Sequence, residues 1–133
     1  MSFWGELSDY RPKMASPRSI LQAAANEIAD KTNQRILGEI DSTLELEGQR
    51  WLQFFLSVPS ANARVEMVQI SYKPTAFYPV ALEDSFDIYG PTDCQNPEQL
   101  QAALTGLFAD SQIRTVVADL LELAAEEDGE EPF

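Results

Sequence analysis

An α+β domain built on one antiparallel four-stranded meander, with one N-terminal helix and two C-terminal helices packed on one face, follows from three features of the sequence. Between Arg35 and Leu82 the large apolar residues fall mainly on even numbers, the period-two signal of strands with one buried face. The links between these segments (Glu47-Gly48, Pro59 to Arg64, Lys73-Pro74-Thr75) are short and rich in turn residues, which leaves no room for parallel crossovers. On either side of the meander the apolar spacing becomes three and four residues, the helical period.

Residues 1–15 read as an N-terminal arm: Phe3, Trp4, Leu7 and Tyr10, then Arg11-Pro12-Lys13, with Pro12 and Pro17 barring one long helix. Trp4 and Tyr10 either lie over the edge of the core or form an aromatic patch for a partner. Ser16-Pro17 suits a helix start, with serine at the N-cap and proline in the first turn. Ile20, Leu21, Ala24, Ala25 and Ile28 then share one face, and Asn33 is a natural end with Lys31 beside the last carbonyls. The alanines allow this helix to lie close against the sheet.

The first strand carries Ile36, Ile40, Leu44 and Leu46, with Glu39, Asp41, Thr43, Glu45 and Glu47 on the odd side. The second carries Leu52, Phe54, Leu56 and Val58, the third Val68, Ile70 and Tyr72, the fourth Tyr78, Val80 and Leu82. Leu37, Trp51, Phe55, Val65 and Met67 break this parity and put bulk on the opposite face, which is therefore either partly covered or a binding surface. Pro79 lacks an amide donor and belongs at an edge or bulge. The sequence thus places the sheet border at Phe77 and Tyr78, with pairing to a second copy along 76–82 as an option.

Glu83 to Gln95 reads as a loop or broken strand with a Gly90-Pro91 turn. Asn96-Pro97-Glu98-Gln99 opens the next helix, whose apolar face is Leu100, Ala103, Leu104, Leu107 and Phe108. Asp110-Ser111 restarts a further helix through Ile113, Val116, Val117, Leu120, Leu121 and Ala124. Residues 1–125 form one domain on this reading, and residues 126–133, with five acids, Gly129 and Pro132, form an acidic disordered tail. At 133 residues the chain is long enough to bury roughly two thirds of its unfolded surface without staples.

Charge narrows the function. The net charge is −13, and residues 74–133 hold thirteen acids against Arg114 alone. Phosphate neutralisation needs a basic face, so direct binding to nucleic acid and to anionic membranes is disfavoured. The start lacks a basic and apolar leader, and no apolar run approaches a membrane span, so a cytoplasmic location is expected. The single cysteine, Cys94, allows no internal disulfide, and the absence of histidine removes Cys/His zinc sites and histidine-based catalysis. Asp93 beside Cys94 raises a thiol pKa, the wrong direction for a nucleophile. No glycine-rich phosphate loop is present. The expectation is therefore a protein without enzymatic activity and without a cofactor.

The acids Glu83, Asp84, Asp87 and Asp93 are the candidate metal ligands, although their spacing matches no EF-hand and solvated loop acids are the simpler reading. The opening Phe3-Trp4-x-x-Leu7-Ser8-Asp9-Tyr10-Arg11-Pro12 and the strand Tyr78-Pro79-Val80 resemble a family of small uncharacterised bacterial proteins. That resemblance covers the order of arm, helix, meander and C-terminal helices, and implies no activity. In architecture and charge the chain is also similar to type III secretion chaperones, an analogy of plan only.

Three functions are weighed. The first is an acidic protein-binding module of the immunity, antitoxin or chaperone type, meeting a basic partner with Trp4, Tyr10, Phe77 and Tyr78 as contact candidates. The second is a small-ligand or divalent-metal domain using the Glu83–Asp93 loop. The third is a nucleic-acid mimic, which requires acids displayed across one rigid face.

Overall fold

Helix α1 (Pro17–Lys31) begins where Ser16 Oγ accepts the Ser19 amide at 3.1 Å, the N-cap that its sequence position predicts. In the computed structural model, which describes residues 3, 14–46 and 48–128, three helices lie over a five-stranded antiparallel sheet. Thr32 closes α1: its hydroxyl donates to Ile28 O at 2.8 Å and accepts the Ile36 amide at 3.1 Å. Asn33 and Gln34 take left-handed backbone angles and swing the chain into the sheet.

The strands β1 (Leu37–Leu46), β2 (Gln49–Val58), β3 (Ala63–Lys73), β4 (Ala76–Asp84) and β5 (Thr92–Cys94) pair in sequence order. Gly48 turns the first hairpin at φ 74°, and a 3-10 turn at Pro59–Ala61 with a left-handed Asn62 makes the second. Leu52, Phe54, Leu56 and Val58 of β2 are buried on the helix side, as the even-number parity predicts. On β3 the parity changes at a bulge. Phe54 faces Val68 while Phe55 faces Glu66, so Met67 is the extra residue. Val65, opposite Leu56, and Met67 therefore belong to the core and not to the second face expected from their odd numbers.

The meander gains a fifth strand. Asp84 folds the following loop by accepting the amides of Phe86, Ile88 and Tyr89 at 3.1, 2.7 and 3.0 Å. Left-handed Asp87 and Gly90 then return Thr92–Cys94 to pair with Val80–Leu82. β4 is consequently covered along Val80–Leu82, and the expected border through 76–82 shifts: β1 and β5 are the edges. Pro79, whose peptide bond with Tyr78 is cis, stands just outside the β4–β5 ladder, where its missing amide costs no pair.

Helix α2 (Pro97–Phe108) is capped by Asn96 Oδ1 on the Gln99 amide at 2.8 Å. Helix α3 (Ser111–Asp128) follows after a turn in which Asp110 accepts the Gln112 amide at 2.9 Å. α3 extends to Asp128, so Glu126 and Glu127, placed in the tail from sequence, are helical; residues 129–133 lie outside the described residues. The core joins Leu21 of α1, Leu100 and Leu107 of α2 and Ile113 of α3 to the sheet's Leu52, Phe54 and Ile70. Phe54 lies 6.0 Å from Phe108, ring to ring. No helix of the described residues is long and apolar enough to cross a membrane.

Candidate functional site

With α1, α2 and α3 all on the even face of the sheet, the opposite face is buried at Ser57 and Ser71 and exposed at Glu83 and Asp93. Strand register sorts its side chains into rows, because directly opposed residues of antiparallel strands share a face. One row runs Glu39, Phe55, Glu66; the next runs Asp41, Gln53, Gln69, Glu83; a third runs Trp51, Ser71, Ala81, Asp93. The Met67 bulge makes this set polar by sending Val65 and Met67 to the other side.

Two polar arrangements hold the face. Glu66 accepts Gln53 Nε2 at 2.8 Å, and Gln69 Nε2 and Ser85 Oγ at 3.0 Å each. All three donors are neutral, so they fix the carboxylate in place without cancelling its charge. Arg64 lies over Phe55, its guanidinium carbon 3.5 Å from the ring centroid. The same guanidinium donates to Asp41 Oδ2 at 2.6 Å and sits 3.6 Å from Glu39 Oε1. Glu83 and Asp93 stand exposed further along. Five carboxylates (Glu39, Asp41, Glu66, Glu83, Asp93) thus share one rigid surface with the half-buried rings of Trp51 and Phe55.

The proposed metal ligands do not converge. Glu83 and Asp93 project from the face opposite the helices, Asp84 is occupied by three loop amides, and Asp87 is exposed at a left-handed turn position. Among the described residues no three Cys, Asp or Glu side chains gather as a metal site.

Of the aromatic contact candidates, Phe77 packs edge-on against Tyr72 at 6.0 Å, and the Tyr78 hydroxyl donates to Ala15 O at 2.8 Å. Phe77 thus packs within the sheet, and Tyr78 ties the start of α1 to it. Burial pushes the Tyr78 phenol up to about 12, with Cys94 and Glu98 nearby adding to the effect. Trp4 and Tyr10 lie outside the described residues. Cys94 is buried, and burial followed by Asp93 raises its thiol pKa, which favours the inert protonated form.

Sequence reasoning missed Arg64, Phe55 and Glu66 as members of one site. Their alternation with core residues signals only a face; which residues of strands far apart in sequence become neighbours depends on register and on the bulge. Comparison with protein-family models, with curated proteins and with solved structures finds no match for this chain.

Proposed function

We propose that this chain is a non-enzymatic protein-binding module of the immunity, antitoxin or chaperone kind, receiving a basic protein on the sheet face opposite its helices. The observation that carries the reading is the set of five carboxylates on that face, with Glu83 and Asp93 exposed. Arg64 illustrates the chemistry a partner would use: a guanidinium over Phe55 and shared between Glu39 and Asp41. Arginine on a partner can meet the exposed Glu83 and Asp93 by charge-assisted bonds. The chain's net charge of −13 speeds encounter with a basic surface. The lack of histidine and the buried, protonated Cys94 support a binding role over catalysis.

The test is affinity capture from the source cell with the wild type and with a Glu83→Lys/Asp93→Lys double variant. Both positions are exposed, so the fold should tolerate the change. The expected result is a basic protein retained by the wild type, released by moderate salt and lost with the double variant. Equal retention by both forms would remove the face from the interaction. Because the carboxylates lie on one rigid sheet, a captured partner that normally binds nucleic acid, and that duplex DNA displaces, would make the module a mimic of phosphates.

A further inference from the structure

On the side away from the acidic face, α1, α2 and α3 cover the sheet but do not close completely against one another. They leave a cleft of about 760 Å³, within the size range of small-molecule sites. Phe54, Leu56 and Met67 close its base and are themselves buried, and the half-exposed Ala24, Ile28, Phe108 and Val117 form its accessible walls. The chemistry changes at the mouth, where Lys31, Glu27 and Arg114 stand.

Arg114 is the only base after Lys73 in a chain with 22 acids. Its Nε donates to Ala109 O at 3.2 Å, at the end of α2. No carboxylate contacts its guanidinium among the described residues. Lys31, by contrast, pairs with Glu27 at 3.2 Å on its own helix. The charged residues that line the cleft thus leave one positive charge, Arg114, without a carboxylate contact among the described residues. A cationic occupant would meet Arg114 unfavourably, and a neutral one would leave the guanidinium unused.

We propose that this cleft binds an anionic amphiphile with a single acyl chain, the chain lying along the half-exposed Ile28, Phe108 and Val117 and its carboxylate held by Arg114. An apolar body recovers the burial that the exposed parts of the cleft forgo, and the guanidinium supplies the two-pronged donor that suits a carboxylate. The site lies on the other side of the sheet from the acidic face, so the inference does not depend on the proposed partner.

The experiment titrates the full-length protein with cis-parinaric acid and with its methyl ester, following the fluorescence of each. Saturable binding is expected for both, the acid about tenfold tighter, the factor that one good charged contact confers. Arg114→Gln should remove the preference for the acid, Arg114→Lys should keep most of it, and Ala24→Phe should weaken both probes by filling the cleft. The Glu83→Lys/Asp93→Lys variant, altered on the other face, should bind both probes as the wild type does. Equal affinity of acid and ester in the wild type overturns the proposal, as does an acid preference that survives Arg114→Gln. Absence of saturable binding, as when another segment of the chain or a partner helix fills the groove, overturns it as well. Arg114→Gln is an exposed change, so this arm stands even if Ala24→Phe fails to fold.

Discussion

Gly38 is where α1 meets the sheet most closely. A Cβ built there would stand 2.5 Å from Ala25 Cβ and 2.6 Å from Ala25 Cα. The obstruction is partly backbone, so helix and strand would have to separate. Gly38→Ala should therefore destabilise by about 1–3 kcal/mol, the usual cost of overpacking, which a thermal melt reads directly. An unchanged melt would mean that α1 does not lie against β1 as described. A second residue-scale effect concerns Tyr78, whose phenol is pushed up to about 12 by burial and nearby groups. Its unfolded counterpart ionises near pH 10, so above that pH the unfolded state loses its proton first. The stability linked to Tyr78 is complete below pH 10 and disappears as pH rises toward 12. Denaturant titrations across this range should show a smaller alkaline loss for Tyr78→Phe than for the wild type.

At the scale of elements, the helices and the even register were legible because each rests on local chemistry: Ser16 and Asn96 as caps, and alternation from Leu52 to Val58. The bulge at Met67 was not legible. Two residues against one is a property of the pair of strands, and odd-numbered Val65 and Met67 looked like bulk for the wrong face. β5 was missed as a paired strand because three residues carry no periodicity; its place depends on Asp84 gathering three amides some residues earlier. The candidate face suffered likewise, since Glu39, Glu66 and Asp93 become neighbours only through register. The dependence of β5 on Asp84 is testable. Asp84→Ala leaves three loop amides without their acceptor and should cost about 2 kcal/mol or more. Amide exchange should quicken at Val80 and Leu82, where β5 pairs, well before it does in β2. Uniform exchange across β4 and β2 would show that β5 is held independently of this loop. The central position of Phe54 gives a further measure: Phe54→Ala, at 2% exposure in the wild type, should cost about 3–5 kcal/mol.

Charge organises the molecule as a whole. The acids of the sheet face and those of α3 lie on a chain with nine bases, two of which pair with acids: Arg64 with Asp41 and Glu39, Lys31 with Glu27. At the end of α3, Glu126, Glu127 and Asp128 follow one another with no basic residue in the last turn, against the negative pole of the helix. Repulsion among these groups is long-ranged and is screened by salt, whereas the ion pairs at 2.6 and 3.2 Å gain little in water because their side chains are exposed. Repulsion should therefore dominate the salt response. Raising ionic strength from about 0.01 M to about 0.15 M shortens the screening length from about 30 Å to about 8 Å and should raise the melting temperature. Glu126→Lys with Glu127→Lys removes repulsion locally and adds favourable charge at the helix end, a few tenths of a kcal/mol to about 1 kcal/mol each. The double variant should melt higher than the wild type at low salt, and the gap should narrow as salt is added. A wild-type melting temperature that falls with salt would show the opposite balance, with the Arg64 and Lys31 ion pairs outweighing the repulsion among the acids.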